Sequence, residues 1–340
     1  MTKQEIGKLG QDSQRPRLSV VYLQLAAAMA FFGMSFVFTS LALTELRPIT
    51  IIVIRLVISL LALTVVAGIP AVTRSTGQRQ VPRKADLPMF VCIGLFQPFF
   101  YFLCETTGLL YVSPSVAAIV VATIPVITPL FAFLFLRERV SAATVLGASM
   151  SIGGVALIVL AGGEAGHARP LGVFLVFGAV LSAVGYSIAL RGLPSHYSSL
   201  TVVTWQNLIG LTMFLPLWLL FDGTHLVGEG LPSIQVMGAL AFLGLFPSTL
   251  SFIFLGRGIR LLGPSKANVM VNTVPVFATL FSVLVLGELL RSSTVIGMVI
   301  VISGVLLSQL RRREASHAVA GLEAGSSSAS VAGHGPRGAG

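Results

Sequence analysis

Charged residues are scarce in this chain. Of its 340 residues, 10% are charged and 55% are hydrophobic, and the mean hydropathy is +0.92. Charged residues make up about a quarter of an ordinary soluble domain, so this composition excludes a soluble globular protein and indicates a chain that lies in a bilayer. The 22 Lys and Arg residues outnumber the 12 Asp and Glu residues. Because the excess falls in loops and tails between long uncharged stretches, no nucleic-acid partner is predicted.

Residues for cofactor or metal chemistry are also few. Both cysteines, Cys92 and Cys104, fall inside apolar stretches, and the five histidines fall in loops or in the C-terminal tail. This argues against a disulfide framework, a metal cage and a buried proton relay. The phosphate loop Gly-x-x-x-x-Gly-Lys-Ser/Thr is missing, which argues against ATP-driven chemistry. We predict no cofactor, no metal and no enzymatic activity, since an intramembrane enzyme would need clustered acids, histidines or a metal set.

Long apolar stretches dominate what remains. A helix needs about 20 mostly apolar residues to cross about 30 Å of hydrocarbon. Ten stretches meet this length, and the period-two alternation of membrane strands is missing. The sequence therefore predicts an all-α integral membrane protein with ten transmembrane helices. The stretches are approximately residues 18–43, 49–69, 87–108, 113–136, 143–161, 170–190, 201–221, 235–256, 264–287 and 293–310.

Both ends of the chain are polar. Residues 1–17 contain four basic residues, and the apolar stretch that follows is too long for a signal peptide and has no small-residue cleavage site. We therefore predict a cytoplasmic N-terminal tail followed by a retained first helix. Residues 311–340 begin with three arginines and continue as a Gly, Ser and Ala tract. Such a composition cannot bury a core and predicts a disordered cytoplasmic tail.

The chain contains an internal repeat. Residues 94–160 align without a gap on residues 244–310, with 25 identities in 67 positions. Chance matching of apolar sequences would not align prolines and glutamates, so the chain is a duplication. The two repeats are predicted at residues 18–161 and 170–310, with five helices each. Matched pairs include Pro114 and Pro264, Ser115 and Ser265, Pro125 and Pro275, Glu138 and Glu288, Gly147 and Gly297, and Gly154 and Gly304.

The number of helices in each repeat sets their relative orientation. Five is odd, so the second repeat must be inverted relative to the first if all ten helices span. With the N-terminus inside, the inner loops and tails collect 17 Lys and Arg residues, and the outer loops collect Arg47, Arg169 and Arg291. This asymmetry follows the positive-inside rule. It predicts two inverted repeats in the cell membrane, with both termini cytoplasmic.

Further residues complete a pattern that resembles a known family. Gly33 and Phe36 in the first helix, Arg55 in the second and the matched pairs of the repeat resemble the drug/metabolite transporter superfamily. Within it, the resemblance is to ten-helix proteins with two EamA-type domains, and it covers residues 20–310. Phe32 stands before Gly33, where relatives most often carry Trp. The resemblance implies a secondary transporter that moves small metabolites or drugs, often outward, without ATP.

Polar residues inside predicted spans are candidates for a binding cavity, because burying them in lipid is costly. In the third helix, Gln97, Tyr101 and Glu105 are spaced by four residues, which puts them on nearly one face of a regular helix. A cavity-lining stripe and a hydrogen-bonded helix contact explain this spacing equally well. Tyr186 and Ser182 in the sixth helix add hydroxyls near mid-depth.

The ninth helix departs from its repeat partner at two positions. Asn268 and Asn272 stand where the first repeat has Ala118 and Ala122. A duplicated scaffold needs the same packing residues in both copies, so this difference favours substrate binding over an interhelical hydrogen bond. Lys266 is a secondary candidate, since snorkelling to the headgroups also explains its position.

Two further groups bear on helix geometry. Pro125 and Pro275 interrupt the backbone ladder midway along equivalent helices, which predicts a static kink or a hinge for alternating access. Small residues at Gly147, Ser151 and Gly154, with Gly297 and Gly304, form faces suited to close helix contact. We expect that contact within one chain rather than between two, and accordingly a monomer or a weak homodimer.

Arg55 and Glu105 are predicted to lie at matching depths in the outer half of the membrane. At 1.5 Å per residue they lie roughly 9 and 6 Å below the outer surface. Each charge alone is unfavourable there, whereas a pair is mutually stabilised, so we predict that the two interact. The alternative is that Glu105 is unpaired and carries a proton for coupling.

The predicted function is export of a small metabolite, such as an amino acid or an amphipathic compound, by alternating access between the two repeats. A nucleotide-sugar or phosphate-ester antiporter would need cavity-facing cations, and only Arg55 and Lys266 are available. A channel is the third possibility, because polar stripes line pores as well. The expected partners are a small-molecule substrate and the lipid bilayer.

Overall fold

The computed structural model describes residues 18–68, 81–136, 142–162, 169–194, 196–223, 231–262 and 270–307. Within these ranges the chain is helical, which confirms the all-α class. The helices are α1 (Leu18–Ala42), α2 (Pro48–Ala67), α3 (Leu87–Gly94), α4 (Tyr101–Gly108), α5 (Pro114–Val121), α6 (Ile124–Leu136), α7 (Ala142–Gly162), α8 (Pro170–Arg191), α9 (Ser199–Phe221), α10 (Ile234–Leu245), α11 (Ser251–Leu262), α12 (Val274–Leu286) and α13 (Ser292–Leu307). The predicted tails at 1–17 and 311–340 lie outside the described residues.

Two of the long helices are composite. A π-helical turn at Leu95–Phe100 joins α3 to α4, and another at Phe246–Leu250 joins α10 to α11. In the described ranges, six helices are then long and apolar enough to cross a membrane, and four shorter apolar helices accompany them. This agrees with an integral membrane protein, and the total of ten spans stays a prediction.

Helix starts follow local sequence signals. Proline occupies the first turn of α2, α5 and α8, where its missing N–H costs no helical hydrogen bond. Ser198 caps α9 by accepting a hydrogen bond from the Thr201 backbone N–H at 2.9 Å, and Ser233 caps α10 in the same way at 3.3 Å to Val236. A capping serine satisfies one of the four orphan donors at a helix start, so these polar residues fix where each span begins.

Contacts at the two ends of the bundle show that the repeats are inverted. Thr50, in the first turn of α2, donates its backbone N–H and its hydroxyl to Asp222 at the end of α9, both at 3.1 Å. Tyr197, just before α9, donates its hydroxyl to Asp86, just before α3, at 2.6 Å. Helix α2 therefore runs away from Asp222 while α9, its counterpart in the second repeat, runs towards it. We call these the Asp222 end and the Tyr197 end.

Glycines allow close contacts between the repeats. A Cβ at Gly154 of α7 would lie 2.8 Å from the backbone oxygen of Gly297 in α13, and one at Gly304 would lie 2.6 Å from the backbone oxygen of Gly147. The Ser151 hydroxyl donates to the Val301 carbonyl at 3.3 Å across the same interface. The small-residue faces thus pack against each other within one chain, as the sequence predicted.

Helix α5 lies at the centre of the core. All eight of its residues are buried, as expected for a helix that is apolar all round. It belongs to an apolar cluster drawn from both repeats, including Met29 of α1, Val180 of α8 and Val301 of α13. Ala122 belongs to this cluster and Val271 packs against it, and each lies at or next to one of the interruptions described below.

Candidate functional site

Two helices are interrupted at equivalent positions of the repeat. In the turn between α3 and α4, Gln97 has a non-helical backbone with φ −143° and ψ 117°. The turn between α10 and α11 contains Pro247, which the 150-residue offset aligns with Gln97. Proline disfavours the helical conformation of the residue before it, so Pro98 accounts for the extended backbone of Gln97. The prediction that Gln97 shares one regular helical face with Tyr101 and Glu105 is therefore wrong for Gln97.

A second pair of interruptions lies at the prolines predicted to break the fourth and ninth helices. The α-helical hydrogen-bond pattern breaks at Ala122–Thr123 and at Asn272–Thr273, just before Pro125 and Pro275, although Ala122 and Thr273 keep right-handed helical backbone angles. Both threonines make the same bond: Thr123 donates its hydroxyl to the Val120 carbonyl and Thr273 to the Met270 carbonyl, each at 2.7 Å. The structure thus interrupts four helices, two in each repeat. The hinge function of the prolines stays a prediction.

A buried hydrogen-bond network surrounds the interruption between α10 and α11. Arg55 of α2 donates its Nε–H to the Ser248 hydroxyl at 3.1 Å. The Ser59 hydroxyl bonds the Ser248 carbonyl at 3.1 Å and the Thr249 hydroxyl at 2.8 Å. Asn207 of α9 donates to the Ser59 hydroxyl at 3.0 Å. These bonds satisfy backbone groups that the interrupted helix leaves free, and they connect the two repeats.

The interruption between α3 and α4 has its own partners. Ser182 of α8 donates its hydroxyl to the Phe96 carbonyl at 2.6 Å. One turn later, Tyr186 donates its hydroxyl to Oε1 of Gln206 in α9 at 3.2 Å. Gln206 is 1% exposed, and its Nε2 has no acceptor among the described residues. A buried amide with an unused donor is costly, so this atom is available to a water or a ligand.

The structure describes four of the five predicted binding residues, and their role in binding stays a prediction. Gln97 and Asn272 are each 9% exposed and lie at interruptions of different repeats. Tyr101 is half-buried in an apolar cluster with Phe102 and Phe214. Asn272 has a polar partner, and the residues before it pack on the same core as α8. Asn268 and Lys266 lie outside the described residues.

Arg55 and Glu105, which were predicted to interact, form no salt bridge. Among the described residues, one salt bridge is formed. It joins Arg47 and Asp222, with 3.9 Å between Nη1 and Oδ1. Arg55 instead bonds Ser248 and holds its guanidinium carbon 4.0 Å from the centre of the Phe102 ring. Nη1 of Arg55 and Oε2 of Glu105 have no hydrogen-bond partner in the described part of the chain. The two charges are within electrostatic range of each other without touching.

A small cavity opens at the Asp222 end. It measures about 270 Å³, and its lining includes Ser40 of α1, Ser113 and Glu288. The Glu288 carboxylate accepts hydrogen bonds from the hydroxyls of Ser115 in the first repeat, at 2.8 Å, and of Ser282 in the second. Its position shows that it ties the end of α12 to the start of α5.

Sequence reasoning missed several residues of these networks. Ser59 and Thr249 look like ordinary helix hydroxyls, and nothing in their local pattern indicates a shared network. Gln206 and Asn207 gave a clearer signal, because two adjacent amides interrupt an otherwise apolar span. Both are buried, at 1% and 2% exposure. The cost of placing amides in lipid could have identified them.

Inverted repeats with paired interrupted helices and buried polar groups at mid-depth define a class of membrane transporters. Comparison with known proteins agrees with this class. The EamA-like transporter family model matches residues 19–160 and again 170–310, and the chain belongs to that family. It is therefore a multi-pass membrane transporter rather than an enzyme.

Individual relatives extend the comparison. The chain is 30% identical to a probable terminal-alkyne amino-acid exporter of Streptantibioticus cattleyicolor, over 77% of this chain and 85% of that protein. It is 24% identical to the uncharacterized transporter YetK of Bacillus subtilis, over 86% and 88% of the two chains. It is 26% identical to an uncharacterized transporter of Archaeoglobus fulgidus, over 86% and 99%. A crystal structure with a TM-score of 0.61 and 19% identity, covering 87% of this chain and 98% of that one, shares the fold.

Proposed function

We propose that this protein is a secondary exporter of small metabolites, such as amino acids or amphipathic compounds, that works by alternating access between its two inverted repeats. The observation that carries the proposal is the set of four interrupted helices, which occur at equivalent positions of both repeats. Interrupted helices expose backbone groups at mid-depth, where inverted-repeat transporters bind substrate. Gln97, Tyr101, Tyr186 and Asn272 would contribute side chains to the cavity, and Pro125 and Pro275 would act as hinges.

The 30% identical relative, named as a probable exporter of an amino acid, supports both the substrate class and the outward direction. The loop charges support an orientation in which both termini are cytoplasmic and the Asp222 end faces outward. A cell-membrane location and a monomeric or weakly dimeric state complete the proposal.

A phosphate-ester antiporter is less well supported. Phosphate recognition needs cations that point at the ligand. Among the described residues, Arg55 is the single buried basic residue. Its Nε–H is bonded to Ser248, and its guanidinium covers the Phe102 ring. A single buried cation balances one carboxylate but leaves part of the charge of a phosphate ester uncompensated.

The proposal is tested first by ligand discovery and then by transport. Purified protein is screened by thermal shift against amino acids, nucleotides and cationic drugs, since a ligand that binds only the folded state raises Tm. The strongest ligand is then radiolabelled for uptake into proteoliposomes. Asn272→Ala should express normally, because its repeat counterpart is Ala122, and should impair uptake. Gly153→Ala, at an exposed helix position, is the control that should transport normally.

Unchanged transport and concentration dependence in Asn272→Ala would make Asn272 a packing residue. Uptake that never saturates with substrate would favour a channel over a carrier.

A further inference from the structure

Arg55 is held rigidly with one donor unused. It is 2% exposed, its Nε–H is bonded to Ser248 at 3.1 Å, and its guanidinium lies 4.0 Å from the centre of the Phe102 ring. Hydrogen bonding and a cation–π contact on one group fix its orientation. Nη1 has no acceptor among the described residues. A buried, oriented and unpaired N–H of a permanent cation is a site for an anionic oxygen.

Glu105 presents the opposite charge close by. It lies one turn after Phe102 in α4, is 3% exposed, and its Oε2 has no donor in the described part of the chain. A buried carboxylate oxygen without a donor costs more free energy than a neutral unpaired group does. A ligand that donates a charged N–H to Oε2 would remove that cost.

The charges of the two groups determine which ligand can satisfy both of them. Their side chains lie within electrostatic range, but no Arg55–Glu105 distance among the described atoms falls within the 4.0 Å of an ion pair. The helices that carry them share one apolar cluster, which includes Leu56, Phe102 and Phe214, so the two charged groups are held on neighbouring helices. A simple anion would leave Glu105 unpaired, and a simple cation would leave Arg55 unpaired. A molecule with both charges on neighbouring atoms satisfies both.

We propose that Arg55 and Glu105 bind the head group of a zwitterionic α-amino acid, with the carboxylate at Nη1 of Arg55 and the ammonium at Oε2 of Glu105. This assignment rests on the proposed transport function and specifies its substrate class. Because Arg55 is also bonded to Ser248 in the second repeat, the bound head group is coupled to an interrupted helix of each repeat. Selectivity arises because compounds with a single charge leave one buried ion unpaired.

The test uses the full chain in lipid nanodiscs and a matched ligand series. The amino acid with the largest thermal shift among the twenty standard ones is compared with its N-acetyl derivative, which keeps the carboxylate, and its methyl ester, which keeps the ammonium. Each derivative should bind the wild-type protein at least tenfold more weakly than the amino acid. Glu105→Gln should weaken binding of the amino acid at least tenfold and leave that of the N-acetyl derivative unchanged. Glu45→Gln makes the same chemical change at an exposed loop position and should bind all three compounds normally.

Three results would overturn the assignment: no thermal shift with any of the twenty amino acids, equal binding of the amino acid and its two derivatives, or unchanged binding of the amino acid to Glu105→Gln. If Glu105→Gln does not fold, the derivative series on the wild-type protein still decides. Saturable transport of a substrate that is not an amino acid would refute this assignment while leaving the exporter proposal intact. The absence of saturable transport for every ligand would refute the exporter proposal itself.

Discussion

Two adjacent glycines in α7 are expected to respond in opposite ways to the same substitution. A Cβ at Gly154 would lie 2.8 Å from the Gly297 backbone oxygen and 3.1 Å from the Val301 backbone nitrogen. Backbone atoms cannot rotate away as a side chain can, so Gly154→Ala must push α7 and α13 apart. Overpacking of this kind costs about 1–3 kcal/mol. At Gly153 a Cβ meets nothing within 4 Å, and Ala gains about 0.5–1 kcal/mol of helix propensity over Gly.

The two variants should therefore differ in stability by about 1.5–4 kcal/mol. At roughly 1.4 °C per kcal/mol for a chain of 340 residues, Gly154→Ala should melt at least about 2 °C below Gly153→Ala. The assay is thermal unfolding of both purified variants in the same detergent, with the wild type between them. Equal Tm values, or a lower Tm for Gly153→Ala, would refute the close contact between α7 and α13.

Three further outcomes are expected. Ser115→Ala removes a charge-assisted hydrogen bond that joins the two repeats and should lower the free energy of unfolding by about 1.5–3 kcal/mol in chemical denaturation; an unchanged midpoint would contradict this. Arg55→Leu combined with Glu105→Leu should express better than either single variant, because each single change strands a buried charge; equal or lower yield would contradict the coupling. In a cysteine-free background, single cysteines at Gln80 and Gly223 should react with a membrane-impermeant maleimide from opposite sides of the membrane, and labelling from one side would refute the inverted arrangement.

The repeat made most of the fold predictable. The 150-residue offset aligns glycines and prolines, and these residues act locally: glycine permits close backbone contact, and proline interrupts the helical ladder. The contact between Gly154 and Gly297 and the interruptions before Pro125 and Pro275 follow from residue type and position. The distribution of Lys and Arg among the loops predicted the orientation of the chain in the membrane. This prediction requires no knowledge of side-chain contacts.

The site was less predictable because it depends on which side chains meet across the bundle. The four-residue spacing predicted that Gln97 lies on the same helical face as Tyr101 and Glu105. Pro98 interrupts the helix between Gln97 and Tyr101, and this local effect outweighs the periodicity. Matching depth suggested that Arg55 meets Glu105. The structure shows that Ser248, an ordinary hydroxyl in the sequence, takes the Nε–H of Arg55 instead.

The central claim is that two inverted repeats carry a substrate by alternating access, and counterflow tests it most directly. Proteoliposomes that contain the purified protein are loaded with unlabelled ligand, and the entry of labelled ligand is followed without any ion gradient. A carrier that alternates exchanges one molecule for another, so labelled ligand should accumulate transiently above its external concentration and saturate as that concentration rises. Entry that only equilibrates and rises linearly with concentration would contradict alternating access and indicate a channel.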